Sequence, residues 1–326
     1  MKFEHPYIPL HTIKDLITEK YGISLYILRT DLTHPQISGN KWFKLKNNLI
    51  EAKNKNINTL LTFGGAFSNH IAATAAAGKE YGFKTIGIIR GEEYSELNPT
   101  LNFAVKSGMK LDYVSRSLYK DKTELYKYAN TKYWEDKFYL IPEGGSNELG
   151  VKGCMEISNH INLDFNYICC ASGTGATLSG IILSLKKNQK AVGFQILKAS
   201  GYIKNEVNTW LLKYPKICIP KSNENNNPII ENSLIQINWE VNENYHFGGY
   251  GKTNNGLKDF IKWFQQTNNI PLDFLYTGKM MFGIYDMIEK EIFKRGDTIV
   301  AIHTGGMQGN LGKDFLAIKK QNLKFQ

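Results

Sequence analysis

Thr59-Leu60-Leu61-Thr62-Phe63-Gly64-Gly65-Ala66-Phe67-Ser68-Asn69-His70 passes from an apolar run through two glycines into three polar side chains, and Ile71-Ala72-Ala73-Thr74-Ala75-Ala76-Ala77 follows. A short apolar run of this kind reads as a strand buried on both faces. The glycine pair is a turn, and the alanine run is a good helix former that can pack closely against a sheet. Strand, turn and helix in that order form the repeating unit of a parallel sheet. The unit also places Ser68, Asn69 and His70 at the carboxyl end of the strand, the edge where open α/β sheets bind ligands.

The same alternation continues outward in both directions. Apolar runs predict strands at Leu25–Leu28, Thr59–Phe63, Thr85–Ile89, Leu111–Val114, Phe138–Ile141, Tyr167–Cys170, Val192–Ile196 and Thr298–Ile302. Between them lie helical patterns. Over Trp42–Lys53 the apolar residues Trp42, Leu45, Leu49 and Ala52 recur every three or four positions, and a second helix is expected over Asn69–Tyr81. The fold class is therefore α/β with open, twisted, mostly parallel sheets. No linker rich in Gly, Pro or Ser divides the chain, so a second domain must be an insertion in the first.

At 326 residues the chain exceeds the usual size of one domain. Hydrophobic residues make up 42% and charged residues 21%, a soluble globular composition. The formal net charge of +10 comes from lysines scattered singly, without the basic run that nucleic-acid binding needs, so no nucleic-acid partner is expected. No apolar run approaches the roughly 18 residues of a membrane span. The start, Met1-Lys2-Phe3-Glu4-His5-Pro6, lacks the apolar stretch of a secretory signal; the expectation is a cytoplasmic protein without a membrane partner. Cys154, Cys169, Cys170 and Cys218 have no Cys-x-x-Cys spacing and read as buried thiols. The seven histidines form no metal-binding array, and no metal is expected. Asn-rich 222–228 reads as a surface loop.

Two further motifs carry chemistry. Ser38-Gly39-Asn40-Lys41-Trp42-Phe43-Lys44-Leu45 sets lysines in a polar turn and the helix it opens, and Ser172-Gly173-Thr174-Gly175-Ala176-Thr177 follows a strand as a glycine-rich loop. An amine nucleophile and a ring of backbone N–H groups are what a phosphate-bearing aldehyde such as pyridoxal 5′-phosphate (PLP) requires. Glu143-Gly144-Gly145-Ser146-Asn147 and His303-Thr304-Gly305-Gly306 repeat the strand-to-turn arrangement.

With these motifs in this order, and over about residues 5 to 315, the chain resembles the fold type II (tryptophan synthase β-like) PLP enzymes. Within that class it is similar to the aminocyclopropane-carboxylate deaminase and D-cysteine desulfhydrase family. The resemblance rests on Ser38–Lys41, Gly64–His70, Ser172–Gly175, Tyr276-Thr277-Gly278-Lys279 and His303–Gly306. It implies PLP bound to Lys41, with Lys44 near the phosphate and the phosphate held by Ser172, Gly173, Thr174, Gly175, Ala176 and Thr177. It further implies that Asn69 meets the ring hydroxyl and that Thr304 lies near the ring nitrogen. Ser68, Tyr276 and Tyr250 become candidate catalytic residues, whereas His70 and His303 read as scaffold. The expected organisation is a large PLP-binding domain from 1–46 and 159–326, a smaller inserted α/β domain over 47–158, and a homodimer acting on a small amino acid.

Two positions bear on the reaction. The ring-opening deaminases carry glutamate where this chain has Thr277 and leucine where it has Thr304. A carboxylate keeps a pyridine nitrogen protonated and the ring a strong electron sink; a hydroxyl does so less well. The expectation is α,β-elimination of the D-cysteine desulfhydrase type, giving pyruvate, ammonia and sulfide. The alternatives are a 1-aminocyclopropane-1-carboxylate deaminase giving 2-oxobutyrate and, from another class, a non-catalytic PLP-binding or amino-acid-binding protein.

Overall fold

The computed structural model describes residues 6–93, 96–214 and 238–310, and all statements below refer to these. The expected Asn-rich surface loop at 222–228 and Cys218 lie outside the described residues.

Two separate sheets organise the chain. The larger has the order β1 (Leu10–Ile13), β2 (Ser24–Leu28), β10 (Thr298–Ile302), β7 (Tyr167–Ser172), β8 (Lys190–Gln195) and β9 (Asn238–Asn242). Only the β1–β2 pair is antiparallel; the other four pairings are parallel. The smaller sheet is wholly parallel, in the order β5 (Met109–Val114), β4 (Lys84–Arg90), β3 (Thr59–Gly65) and β6 (Phe138–Ile141). All eight strands expected from the sequence are present. The two missed ones, β1 and β9, are edge strands whose residues are partly exposed and carry no continuous apolar run.

Side-chain alternation explains why the central strands are apolar throughout. On β7, Ile168 and Cys170 face one core while Cys169 and Ala171 face the other; on β10, Val300 and Ile302 oppose Ile299 and Ala301 in the same way. Cys154, Cys169 and Cys170 are buried free thiols, and burial pushes each up in pKa.

Helix α2 (Asn40–Asn54) buries Trp42, Leu45, Leu49 and Ala52, the face that the periodicity gives, and runs without a break across position 46. Helix α3 (Asn69–Tyr81) has the predicted bounds, with Ser68 as its N-cap and Gly82 in the left-handed region at its C-cap. Its alanines and Gly78 allow contact with the small sheet: a Cβ on Gly78 would lie 2.2 Å from Thr85 Cγ2. Around the small sheet lie α4 (Pro99–Lys106), α5 (Arg116–Lys120) and α6 (Lys122–Lys132); α7 (Glu148–Cys154) leads back toward the large one. The large sheet is flanked by α1 (Leu16–Tyr21), α8 (Ala176–Leu183), α9 (Tyr202–Leu212), α10 (Asn255–Asn268) and α11 (Thr277–Glu289). Among the described residues no helix is long and apolar enough to cross a membrane.

Candidate active site

A cavity of about 430 Å³ opens where the carboxyl ends of strands from the two sheets meet, β3 and β4 on one side and β7 and β8 on the other. Its wall contains Lys41, Lys44, Ser68, Asn69, Ser172, Gly173, Thr174, Gly175, Thr177, Tyr250 and Tyr276. Residues scattered along the chain thus converge on one space. Of the expected site residues, Ala176 and Thr304 are not in the wall: Ala176 is fully buried as the first residue of α8, and Thr304 is buried at the end of β10.

Lys41 lies in the first turn of α2, which can start there because Gly39 adopts φ +67° against the backbone of β10's end. A Cβ at Gly39 would sit 2.0 Å from the Thr304 carbonyl oxygen. Lys41 Nζ donates to Asn40 Oδ1 at 2.9 Å, and Asn40 Nδ2 donates to Thr177 Oγ1 at 3.0 Å, linking the lysine turn to the glycine-rich loop. Burial, reinforced by the Lys44 charge, pushes Lys41 down to about 7. An amine so placed is substantially unprotonated near neutral pH and therefore nucleophilic. Lys44 is itself lowered by burial; its Nζ donates to the Gly144 carbonyl at 3.1 Å and to Ser146 Oγ at 3.4 Å.

The loop after β7 turns through Gly175 at φ +74°, with α8 starting at Ala176. No side chain caps this helix; the Thr174 carbonyl takes the Ala176 N–H at 2.9 Å, and Gly173, Thr174, Gly175 and Thr177 set the positive end of the helix dipole beside the cavity. Ser146 Oγ and Thr174 Oγ1, 2.7 Å apart, tie this loop to the Glu143–Ser146 turn.

On the other wall, Ser68 Oγ accepts from His70 N at 3.2 Å and Ile71 N at 3.4 Å, which leaves its own proton free to donate. Asn69 Oδ1 is buried without a hydrogen-bond partner among the described residues. An orphaned polar atom is costly unless a ligand answers it. His70 is structural: Thr62 spends its proton on the Ile141 carbonyl at 2.7 Å, so it must accept from His70 Nε2 at 2.8 Å, and burial together with the two lysine charges keeps the imidazole neutral. His303 likewise holds its turn, with Nε2 against the Pro271 carbonyl at 2.7 Å and Nδ1 accepting from Gly305 N at 3.3 Å.

Tyr276 and Tyr250 stack edge to face with ring centroids 6.2 Å apart. Burial and its neighbours Tyr250 and Asp273 push the Tyr276 hydroxyl well above its ordinary range, so it stays protonated at neutral pH and can donate a hydrogen bond. Two residues to which sequence reasoning gave no role position this pair. Asp273, fully buried, accepts from the backbone N–H of Leu275 at 2.9 Å, Tyr276 at 2.7 Å and Thr277 at 2.9 Å. Lys279 donates to the carbonyls of His246 at 2.9 Å and Gly249 at 2.8 Å, stapling the loop that carries Tyr250. The signal for Asp273 was present, an acidic residue just ahead of an apolar helical run.

The position of Thr277 corrects one expectation. Its hydroxyl does not face the cavity toward a ring nitrogen but donates to Asp273 Oδ2, because the start of α11 turns that side chain into the protein.

A lysine of lowered pKa, an uncapped helix start at a glycine loop and an orphaned amide together suit a phosphate-bearing aldehyde, and the sequence family agrees. Residues 4–305 match the model of the pyridoxal-phosphate dependent enzymes. The chain belongs to that family. A Thermotoga maritima protein provisionally named 1-aminocyclopropane-1-carboxylate deaminase is 33% identical, over 92% of this chain and 94% of its own length. A Pyrococcus furiosus protein with the same provisional name is 31% identical, over 90% and 88%. D-Cysteine desulfhydrase of Yersinia pestis is 27% identical over 91% of each chain. The crystal structure of a homologue of aminocyclopropane-carboxylate deaminase superposes with a TM-score of 0.77 at 27% identity, covering 95% of this chain and 93% of its own. The protein is thus a PLP-dependent enzyme of the deaminase and desulfhydrase group, and its mixed α/β fold with mostly parallel sheets is that of the fold type II class.

Proposed function

We propose that the enzyme catalyses α,β-elimination from a small β-substituted amino acid, D-cysteine being the model substrate, with water consumed and pyruvate, ammonia and sulfide released. One observation carries this reading: among the described residues the cavity wall contains a single carboxylate, Glu143, and Lys122 neutralises it at 2.9 Å. Asp273, the buried acid behind the wall, is saturated by the N–H groups of Leu275, Tyr276 and Thr277 and by the Thr277 hydroxyl. Among the described residues no acid is left to hold a proton on a ring nitrogen. That suits expulsion of a good leaving group such as thiolate better than opening an unactivated cyclopropane ring.

In this reading Lys41 would bond PLP's aldehyde carbon, and Lys44 with the loop over 172–177 would hold its phosphate. Asn69 supplies the amide for the ring hydroxyl. PLP, when bound, withdraws electrons from the substrate's Cα. The Lys41 amine would take the substrate's Cα proton, a role for which a pKa of about 7 is well matched. Ser68, at the N-terminus of α3, donates to the substrate carboxylate, where the helix dipole favours an anion. Tyr276, held protonated, offers its O–H as a hydrogen bond to the departing sulfur, and Tyr250 orients it. Residues 47–158 are assigned as the closing unit that carries Ser68 and Asn69 onto the substrate. The resemblance also supports action as a cytoplasmic homodimer.

The test is direct. Purified enzyme supplied with PLP is given D-cysteine, L-cysteine, D-serine and 1-aminocyclopropane-1-carboxylate in turn. Sulfide and pyruvate from D-cysteine, with little 2-oxobutyrate, is the expected result. Efficient ring opening without sulfide from either cysteine enantiomer would transfer the assignment to the deaminase.

A further inference from the structure

Beside the candidate active site lies a second, larger cavity of about 810 Å³, over the carboxyl ends of β3, β4 and β5. The two are adjacent, and Gly65, Ala66, Phe67, Arg90 and Glu143 belong to both walls. A substrate as small as cysteine does not need this space. Its wall has an apolar part, including Phe67, Leu97 and Leu101, and a charged part in which Arg90, Arg116, Lys120 and Lys122 face only Glu96 and Glu143.

The cations differ in what they already hold. Lys122 is paired with Glu143 at 2.9 Å. Arg90, Arg116 and Lys120 have no carboxylate oxygen within 4.0 Å among the described residues. The Arg90 guanidinium stands over the Tyr119 ring, 5.6 Å from its centroid, and a Cβ on Gly65 would lie 3.5 Å from Arg90 Nη2. Arg90 therefore sits at the boundary between the cavities. Arg116 borders Gly91, with its Nε 4.0 Å from where a Cβ there would be. Two guanidiniums with no carboxylate partner, at the ligand-binding edge of a parallel sheet, form a receptor for a carboxylate, phosphate or sulfonate.

We propose that the larger cavity is a substrate subsite, and that the preferred amino acid carries an anionic group at the far end of its β-substituent, received by Arg90 and Arg116. This rests on the elimination reading above and extends its substrate class from a small amino acid to one with an acidic tail. The amino and carboxylate groups stay in the smaller cavity; the tail passes Arg90 into the larger one. The reaction balances as for cysteine: Cα loses a proton, the bond from Cβ to the substituent's heteroatom breaks, and the tail leaves with that electron pair.

The experiment compares O-acetyl-D-serine with O-succinyl-D-serine, which differ by a terminal carboxylate on the leaving group, using the PLP-loaded enzyme and its Arg116→Ala variant. Arg116 is outside the smaller cavity, so the variant keeps its activity on D-cysteine. The expected result is a preference of about tenfold or more in kcat/KM for the succinyl ester, of the size a charge-assisted hydrogen bond gives, and its loss through KM in the variant. Thermal stabilisation by the succinyl ester, also lost in the variant, is the readout independent of turnover. Equal handling of the two esters, or an equal loss on both in the variant, overturns the subsite. Stabilisation by inorganic phosphate that needs Arg116, without preference between the esters, assigns the cavity to a free anion and also overturns it. Arg116-dependent stabilisation by the succinyl ester, with no turnover of either ester or of D-cysteine, upholds the subsite and sinks the elimination reading instead.

Discussion

Thr277 donates its hydroxyl proton to the buried Asp273 carboxylate, whose two oxygens also take the N–H groups of Leu275, Tyr276 and Thr277. A single acid therefore caps α11 and fixes the backbone from which Tyr276 projects into the cavity. Asp273→Ala leaves three N–H groups without partners, and the expected cost is about 2–5 kcal/mol, at about 1–3 kcal/mol for an unmet buried donor with partial relaxation. Asp273→Asn, which retains one acceptor oxygen, should recover part of it. Urea unfolding measures both, and a loss below about 0.5 kcal/mol for Asp273→Ala would mean that the carboxylate does not organise this turn.

Lys41 and Lys44 carry like charges inside one cavity, and the second helps to depress the first. In the cofactor-free protein, the rate at which Lys41 reacts with an aldehyde should rise with pH and reach half its limit near pH 7, where the amine loses its proton. Lys44→Gln removes a charge that disfavours the protonated amine, so the midpoint should move to higher pH. Borohydride reduction of the PLP-loaded enzyme followed by peptide mapping should place the adduct on Lys41. An adduct on any other lysine would remove the site assignment.

Gly39 is the hinge on which the lysine turn is built. Its positive φ and its contact with the Thr304 carbonyl leave no room for a side chain, since the obstructing atom is backbone on both sides. Gly39→Ala should lose more than about 2 kcal/mol of stability and weaken PLP binding, because Lys41 moves with the turn. Gly82→Ala serves as a control: that glycine also has a positive φ but has nothing within 4 Å of a would-be Cβ, so the strain should appear without the clash. Equal effects at the two positions would show that the contact with Thr304 is unimportant.

How much of this was legible in the sequence depends on the kind of signal. The central strands could be read because burial on both faces leaves an unbroken apolar run, whereas Leu10–Ile13 and Asn238–Asn242, half-exposed at the sheet edges, carry no such mark. Lys41, Ser68 and the Ser172–Thr177 loop could be read because strand-to-helix turns announce where their side chains go. The orientation of Thr277 could not: its neighbour Tyr276 points into the cavity, yet a helix start turns the next side chain some 100° away, toward an acid four residues earlier. The cationic cavity was equally hidden, since Arg90 and Arg116 come from two different strand ends and meet only through the pairing of β4 with β5.

The last prediction returns to the choice between elimination and ring opening. Installing the glutamate that the family resemblance gives the ring-opening deaminases at this position, Thr277→Glu, puts a second carboxylate at a fully buried position already bonded to Asp273. Two buried acids in contact cannot both ionise, and the donor that Asp273 lost is not replaced. Thr277→Glu alone should therefore cost about 3–5 kcal/mol, as when a buried charge is left uncompensated. Combining it with Asp273→Asn removes the repulsion and supplies an amide donor to the new acid. The double variant should be more stable than the sum of the two single changes, a coupling of about 1–3 kcal/mol readable by urea unfolding in a double-mutant cycle. Neither Thr277→Glu nor the double variant should gain measurable 2-oxobutyrate production from 1-aminocyclopropane-1-carboxylate, because a side chain held against residue 273 does not reach the cavity. If Thr277→Glu folds as stably as the native chain, the threonine is not engaged with Asp273 as described, and the case that no acid is free to serve a ring nitrogen falls with it.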